Sequence, residues 1–282
     1  MIREAMKGDE ALIEAYLAKH FATAMFLRGN LRDFGIGNTE ATYGMRYFIR
    51  EAGEVTGIGG VGNGGAVMLQ ATADLAEMVV HMRAALPADF AMSVTTGAPE
   101  MVAAILAGFN LSDAPKQMDE TKPLFLLRRN DLIPQNMAGF SLRPATMDDL
   151  PLLADWNHAY ALEVLDGVDN AETRAETFAA AKQTIAHGRQ RLLLKNGAVI
   201  AQTNINAAMP DAVQVGGVFT PPPGRGRGFA RRAVAAHLDE AFAGGAENAI
   251  LFSATETASR TYRAIGFKHI GASRIVLFGG HT

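Results

Sequence analysis

The chain has 282 residues, which is long for one domain and sufficient for two of ordinary size. Its 49% hydrophobic and 20% charged residues are typical of a globular protein with a substantial core. The net charge of −3 gives no basic excess of the kind that nucleic acid or an anionic membrane attracts. The absence of cysteine excludes disulfides, a thiolate nucleophile and a Cys-based zinc site.

No membrane or targeting segment is evident. No apolar run approaches the roughly 20 residues of a membrane span, and the N-terminus lacks the apolar stretch of a signal peptide. We therefore expect a cytoplasmic protein with neither nucleic acid nor membrane as a partner.

The first half of the chain alternates between helical and extended patterns. The predicted helices cover residues 9–20, 72–86 and 98–108, with a further segment at 23–33, and the predicted strands cover 45–50, 55–61, 66–70, 90–94 and 124–128. A polar, proline-containing stretch at 129–138 follows. We predict the domain boundary there, with domains at 1–130 and 139–282.

One glycine-rich stretch in this half resembles a nucleotide-binding loop by spacing alone. Residues 57–62 match the Gly-x-Gly-x-x-Gly pattern of dinucleotide-binding loops, which must open a helix. Here Asn63-Gly64-Gly65 and another apolar segment follow instead. We interpret the stretch as a glycine-rich strand with a hairpin turn and do not expect NAD there.

The second half begins with a strand at 139–145 and a helix opened by the capping-box pair Thr146 and Asp149. That helix extends to about residue 166, and a second follows at 171–187. Apolar runs at 191–195 and 198–201 flank Asn196-Gly197, which predicts a tight hairpin. A strand at 213–220 ends at three prolines, which cannot donate to a ladder. A helix at 228–243, a strand at 249–252, a helix at 258–265 and a strand at 270–278 complete the half.

The order of elements is similar in the two halves. In each, helical segments precede three consecutive strands, a helix, a strand, a helix and a strand. This order predicts an α/β chain of two related domains, each a mixed sheet with helices on both faces.

The turn between Thr220 and the helix at 228–243 carries the clearest chemical signal. Its glycines allow tight turning and close approach of a ligand to the backbone. The first N–H groups of a helix lack internal partners and lie at the positive end of its dipole, so they attract anions. Arg225, Arg227, Arg231 and Arg232 add positive charge. We predict a phosphate or pyrophosphate ligand, and the absence of Gly-Lys-Ser/Thr disfavours ATP and GTP.

Two motifs resemble those of the GNAT superfamily of N-acetyltransferases. Arg225, Gly228 and Ala230 are similar to its acetyl-CoA pyrophosphate loop, Arg/Gln-x-x-Gly-x-Gly/Ala. Residues 262–267, Tyr-Arg-Ala-Ile-Gly-Phe, resemble its Tyr-x-x-x-Gly-Phe segment. The resemblance covers roughly residues 139–280. It implies two GNAT-like domains with mostly antiparallel sheets, of which the second binds acetyl-CoA and the first is degenerate because it lacks the loop.

The resemblance also implies roles for individual residues. The expected cofactor-binding residues are Val218, Phe219, Thr220, Arg225, Gly226, Arg227, Gly228, Phe229, Ala230, Arg231 and Thr255, and Thr255 stands where the family usually has Asn. Tyr262 is expected to protonate the leaving CoA thiolate, and the backbone near Val218 and Thr220 to hold the thioester oxygen. The implied reaction is direct acetyl transfer to the amine of a small molecule.

The sequence does not assign a general base. Glu163, Asp166 and His158 are candidates at the end of one helix, whereas Gln214 does not titrate. We expect Trp156 to lie in the core and His237 in the core or an interface. No metal is expected, because no His-Glu-x-x-His or paired ligands occur, and no Gly-x-Ser-x-Gly elbow indicates a hydrolase.

Alternative functions remain open at this stage. The chain could acetylate a protein or peptide amine, or bind acyl-CoA as a sensor without turnover. A Fem-type ligase acting on aminoacyl-tRNA is disfavoured by the CoA loop and the lack of a basic surface. A homodimer is compatible with the sequence.

Overall fold

The structure, a computed structural model, describes residues 1–165 and 167–279. The first ten elements are β1 (Ile2–Glu4), α1 (Glu10–Lys19), α2 (Phe21–Phe34), β2 (Met45–Ala52), β3 (Glu54–Gly62), β4 (Ala66–Ala71), α3 (Leu75–Ala84), β5 (Val94–Gly97), α4 (Pro99–Gly108) and β6 (Met118–Arg128). The next ten are β7 (Phe140–Pro144), α5 (Leu150–Val164), α6 (Ala171–Ala186), β8 (Gln190–Lys195), β9 (Ala198–Ala208), β10 (Ala212–Phe219), α7 (Phe229–Ala243), β11 (Asn248–Phe252), α8 (Glu256–Arg263) and β12 (Lys268–Leu277). Short 3₁₀ turns aside, the second ten repeat the order of the first.

The chain forms two compact units. One consists of Met1–Lys122 together with the C-terminal segment from Ala272, and the other of Pro123–Gly271. This division differs from the predicted domains 1–130 and 139–282, because each unit contains the last strand of the other half. In the first unit Ile275 of β12 pairs with Thr96 of β5, and in the second Ile250 of β11 pairs with Leu126 of β6.

The two units have the same strand pairings. In the second unit β7–β8, β8–β9 and β9–β10 are antiparallel, β10–β11 is parallel and β11–β6 is antiparallel. The first unit has the corresponding pairs β1–β2, β2–β3, β3–β4, β4–β5 and β5–β12, with the same directions. The predicted mixed, mostly antiparallel sheets are thereby confirmed.

Helices cover both faces of the sheet in the second unit. Neighbouring strand residues point to opposite faces. Leu192 packs with Leu153 of α5 and Ile185 of α6, while Leu193 packs with Ala233 of α7. Ala233 belongs to the apolar stripe of α7 that the spacing in the sequence predicted, and it is fully buried.

Local turn chemistry explains several elements. Asn196 and Gly197 both have positive φ, at 51° and 81°, as the predicted hairpin requires. The stretch 57–62 lies in β3, so it is a strand followed by a turn and not a dinucleotide loop. A Cβ at Gly59 would lie 2.3 Å from the sulfur of Met82, which shows that its glycine serves close packing. The sequence reading missed β1 and placed β5 about four residues early.

A matched ion pair precedes the first helix of each unit. Arg143 donates to both carboxylate oxygens of Asp149 at 2.7 Å, and the backbone N–H of Thr146 donates to the same carboxylate at 2.8 Å. In the first unit Arg3 donates to Asp9 at 2.7 and 2.8 Å. The backbone N–H of Met6 completes the same arrangement at 2.8 Å. The repeated spacing of six residues supports a duplicated chain.

None of the helices in residues 1–165 and 167–279 combines the length and apolar character that crossing a bilayer requires.

The Asp149 carboxylate makes the stability of the fold depend on pH. The Arg143 guanidinium and the Thr146 hydrogen bonds lower the pKa of Asp149 from 3.8 to about 2. A depressed folded-state pKa stabilises the fold above the unfolded-state pKa, and this stabilisation is lost as the pH falls toward 2. We expect Asp149→Asn to lower the free energy of unfolding at pH 7 by about 1–2 kcal/mol. The deficit should shrink below about pH 4. Chemical denaturation of the parent and the variant at several pH values measures this difference in the free energy of unfolding. Asp148→Asn, at the exposed neighbouring carboxylate, is the control, and an equal loss there contradicts the assignment.

Candidate functional site

The site lies where two parallel strands of the second unit part. Ala212–Gln214 of β10 pair with Asn248–Ile250 of β11, and within the described residues this is the extent of their ladder. β10 nevertheless continues to Phe219. A cleft of about 760 Å³ opens beside the diverging segment, lined by the ends of both strands and by the beginnings of α7 and α8. Its volume is in the range of small-molecule and cofactor sites.

A bulge in β10 shapes one wall of this cleft. Gly216 pairs with Asn204 of β9, and Phe219 pairs with Gln202, so β10 has one more residue than β9 between these two pairs. Gly217 lies within the bulge with φ of 55°, a conformation that glycine adopts without strain. Bulges redirect local peptide groups away from the regular ladder. Both Gly217 and Val218 line the cleft.

The N-terminus of α7 is open toward the same cleft. Gly228 occupies the N-cap position with φ of 74°, and no side chain caps the helix. By contrast, the hydroxyl of Thr255 caps α8 by accepting a hydrogen bond from the backbone N–H of Ala258 at 3.1 Å. The first turn of α7 lines the cleft, so its unpaired N–H groups and the helix dipole favour an anion there.

Arg231 adds a cation with an unsatisfied donor. Its Nε is buried and has no hydrogen-bond partner among the described residues. A Cβ at Gly228 would lie 2.9 Å from this Nε and 3.3 Å from an Nη of Arg231, so the guanidinium lies beside the helix start. Buried donors in native proteins are nearly always satisfied, and hydrogen bonds from a cation to an anion are among the strongest. An anion at the start of α7 would give the Arg231 Nε a partner.

Two other arginines, Arg225 and Arg232, form hydrogen bonds within the loop between β10 and α7 and stabilise it. Arg225 donates to the Thr220 carbonyl at 2.9 Å and forms an ion pair with Glu163 at 2.7 Å. Arg232 donates to the carbonyls of Arg227 and Gly228 at 3.2 Å each. The sequence predicted only that these arginines add positive charge around the loop. In the structure Arg225 and Arg232 donate to backbone carbonyls of the loop, whereas the buried Nε of Arg231 has no partner among the described residues.

Tyr262 of α8 is buried on the cleft wall. Its ring makes an edge contact with Phe267 at 6.0 Å between centroids, and 8% of the residue is exposed. Burial raises the pKa of Tyr262, and the nearby Tyr160 adds to the increase. Burial likewise raises the pKa of Tyr160, which also lines the cleft. The Tyr262 phenol therefore stays protonated throughout the neutral pH range.

The twelve residues predicted to act at the site all line this one cleft. They are Val218, Phe219, Thr220, Arg225, Gly226, Arg227, Gly228, Phe229, Ala230, Arg231, Thr255 and Tyr262. Their individual roles stay predictions, and Thr255 has its hydroxyl engaged as the α8 cap.

The candidate bases have different surroundings. Glu163 lines the cleft but is paired with Arg225. His158 is buried, with Nε2 at 3.0 Å from the Asp169 carboxylate, and does not line the cleft. Gln214 is buried and does not line the cleft, and Asp166 lies outside the described residues.

Two other side chains of interest in the sequence pack in or against the core. Trp156 is half-buried and packs against a core cluster, with its ring 5.8 Å from that of Phe219. Burial lowers the pKa of His237 to about 3, and the nearby Arg191 contributes, so this buried imidazole is neutral.

The sequence reading missed two contributors. Tyr160 precedes Glu163 by three residues, so the helical spacing places both on one face of α5 and could have identified it. Gln202 of β9 donates to the carbonyl of Gly217 in the bulge at 3.2 Å. Two further polar residues, Thr203 and Asn204, follow it, so nothing in the sequence distinguishes Gln202. Its contact with Gly217 requires the register of β9 against β10.

Solved structures share the fold of this chain over nearly its whole length. A GCN5-related N-acetyltransferase from Kribbella flavida matches with a TM-score of 0.59 and 17% identity, covering 94% of this chain and 96% of that one. A tandem GNAT protein from the clavulanic acid biosynthesis pathway matches with a TM-score of 0.53 and 14% identity, covering 100% and 99%. A Drosophila protein has a TM-score of 0.69 at 12% identity, with 98% coverage of each chain.

These matches establish the fold. No family model matches the chain, and no curated protein sequence does so. The chain has the fold of the tandem GNAT acetyltransferases, which confirms both the resemblance noted in the sequence and the predicted fold class.

The buried phenol can be titrated directly. We expect Tyr262 to ionise well above the ordinary tyrosine pKa of 10.0, because burial disfavours the phenolate. The difference in tyrosine absorbance between the parent and Tyr262→Phe, followed from neutral to alkaline pH, isolates this residue. The same pair unfolded in urea is the reference and should differ by one tyrosine that titrates near pH 10. A difference signal near pH 10 in the folded pair contradicts the assignment.

Proposed function

We propose that the second unit is an acetyl-CoA-dependent N-acetyltransferase that moves an acetyl group directly to the amine of a small molecule. One observation supports this function above all. A single cleft combines an uncapped helix N-terminus, a buried Arg231 donor without a partner and a buried, protonated Tyr262. An anion site alone fits many ligands, whereas the added proton donor suits a reaction whose leaving group needs a proton.

The residues of the cleft fit acetyl-CoA. Its pyrophosphate would lie against the first turn of α7, beside Gly228, and accept from the Arg231 guanidinium. Arg225 and Arg232 would keep the loop in shape through their bonds to Thr220 and Gly228. When bound, acetyl-CoA supplies an activated acetyl group as a thioester.

The chain's own groups then perform the remaining tasks. The backbone N–H of Val218, in the bulge, would hold the thioester oxygen and stabilise its developing charge. The Tyr262 phenol would donate its proton to the departing sulfur. Most of the acceleration would come from holding the amine and the thioester in reactive geometry.

No free base is needed for this scheme. Within the described part of the chain, Glu163 is the only carboxylate that lines the cleft, and it is paired with Arg225. The amine would therefore react in its neutral form and lose its proton to water after the attack. Full-length structural neighbours named as acetyltransferases support the class of reaction.

Binding of acetyl-CoA can be tested with two matched glycines. Gly226 and Gly228 both have positive φ, at 76° and 74°, so alanine strains the backbone similarly at each. A Cβ at Gly228 meets Arg231 and Arg232, whereas one at Gly226 meets nothing within 4 Å. We expect calorimetry to show micromolar binding to the parent, about −8 kcal/mol. Gly226 also lines the cleft, so Gly226→Ala should lower that affinity somewhat. Gly228→Ala should lower it about tenfold or more because it also displaces the two arginine side chains.

Failure of this test has a definite meaning. A folded parent that does not bind acetyl-CoA overturns the proposed function. Equal losses in the two alanine variants would show that backbone strain, and not the position of Arg231, controls binding.

Turnover separates an enzyme from a sensor. We expect Tyr262→Phe to keep the parent's Kd for acetyl-CoA while kcat falls about 100-fold, within the usual contribution of a general acid. The measurement is CoA release in the presence of a panel of small primary amines. Thr261→Ser, at a half-buried neighbour on α8 that also lines the cleft, is the control and should retain most of kcat. Acetyl-CoA binding without release for any amine indicates a sensor, and release only with peptide amines indicates a protein acetyltransferase.

A further inference from the structure

A chain of buried amides leads to the bulge in β10. Gln190 donates from Nε2 to Oε1 of Gln202 at 3.2 Å. Gln202 in turn donates from Nε2 to Oδ1 of Asn157 at 3.0 Å and to the carbonyl of Gly217 at 3.2 Å. Gln202 is 1% exposed and Gln190 is 2% exposed. Burying a side-chain amide costs free energy unless its polar atoms form hydrogen bonds, so the bond from Gln202 to the Gly217 carbonyl needs an explanation.

The Gly217 carbonyl determines which way each amide in this hydrogen-bonded series is oriented. A carbonyl oxygen can only accept, so the NH₂ group of Gln202 must face it. Oε1 of Gln202 then faces Gln190, which must donate, and Asn157 must offer its oxygen. Each amide thus has one orientation, and the Gly217 carbonyl is held toward Gln202 and α5.

The orientation of this carbonyl determines that of the next N–H. In a trans peptide the C=O of one residue and the N–H of the next point in opposite directions, and this chain has no cis peptide among its described residues. The Val218 N–H therefore points away from Gln202 and from β9. Val218 lies on the cleft wall, so this direction is that of the cleft.

We infer that Gln202 is a positioning residue for acetyl transfer, acting through the Gly217 carbonyl to aim the Val218 N–H at the thioester oxygen. The inference rests on the proposed function of the same cleft. Gly217 permits the arrangement because its φ of 55° belongs to the left-handed region. Without the Gln202 donor, the Gly217–Val218 peptide can rotate, and the Val218 N–H no longer points at the thioester oxygen. Gln202 itself does not line the cleft, so its effect passes through the peptide.

The first test replaces the donor with an apolar side chain of similar length. We expect Gln202→Met to lower kcat about tenfold or more, since the loss of one oxyanion donor costs 100-fold or more. The Kd for acetyl-CoA should stay within about twofold, because Gln202 is remote from the α7 anion site. Gln190→Met is the matched control: it removes an equally buried amide one step farther from Gly217, and its kcat should fall less than about threefold.

A conservative variant provides a readout that a purely structural role does not affect. In Gln202→Glu the protonated carboxyl can donate to the Gly217 carbonyl, whereas the carboxylate cannot. Burial raises the pKa of such a carboxyl. The ratio of kcat for Gln202→Glu to that of the parent should therefore rise as the pH is lowered from about 8 to 6. Should Gln202→Met fail to fold, Gln202→Glu, which keeps the shape of the side chain, provides the test through this pH dependence with an unchanged Kd expected.

The outcomes distinguish the two proposals. The assay uses acetyl-CoA with the best acceptor of the amine panel, and the parent is measured first. A parent without turnover overturns the proposed function and the role of Gln202 with it. An active parent with an unchanged kcat in folded Gln202→Met, or with equal kcat losses in Gln202→Met and Gln190→Met, overturns the positioning role alone. A flat pH ratio for Gln202→Glu does the same.

Discussion

The parting of β10 from β11 is the constraint on which the site depends. Their parallel ladder ends at Gln214 and Ile250, and the bulge at Gly217 turns β10 further from a regular course. Three prolines beyond Thr220 cannot donate to a ladder, so the strand ends there and the chain turns into α7. The cleft, the open helix start and the redirected peptide at Gly217–Val218 all follow from this break in pairing. A continuous parallel pair would fill the space with backbone hydrogen bonds.

The arrangement also explains why the loop between β10 and α7 needs so many internal bonds. It has glycine at 224, 226 and 228, and glycine has no side chain that could restrict the backbone or pack against neighbours. Arg225 and Arg232 supply that order by donating to its carbonyls and to Thr220. Exposed ion pairs such as Arg225 with Glu163 contribute little energy individually. Their value here is geometric, because they leave the first N–H groups of α7 facing the cleft.

Local patterns in the sequence predicted the elements that depend on local chemistry. Asn196-Gly197 gave the hairpin, Thr146 with Asp149 the capping box, and the glycine-arginine turn the open start of α7. Features that depend on distant pairing could not be predicted in this way. β6 and β12 are strands of similar length, each with both charged and apolar residues, and nothing within either indicates that β6 pairs with β11 and β12 with β5. Likewise, the contact of Gln202 with Gly217 exists only through the register of two strands.

The corresponding helices of the two units begin with different charges. α3 begins, like α7, with an N-cap residue in the left-handed region, but the residue is Asp74 with φ of 52° instead of Gly228. The Asp74 carboxylate is paired with Arg50, and Glu77 follows in the first turn, so the start of α3 is acidic and disfavours an anion.

The helix that follows the parallel pair packs into the core in both units. In the first unit Met101 of α4 lies in the same core cluster as Leu69 of β4. In the second unit Tyr262 of α8 lies in the same core cluster as Val215 of β10, and both residues also line the cleft. This packing is therefore common to the two copies, and the difference in charge lies at the preceding helix. The first turn of α3 is acidic, whereas the first turn of α7 carries Arg231 and no acidic residue, so only α7 adds a cation to the positive end of its dipole.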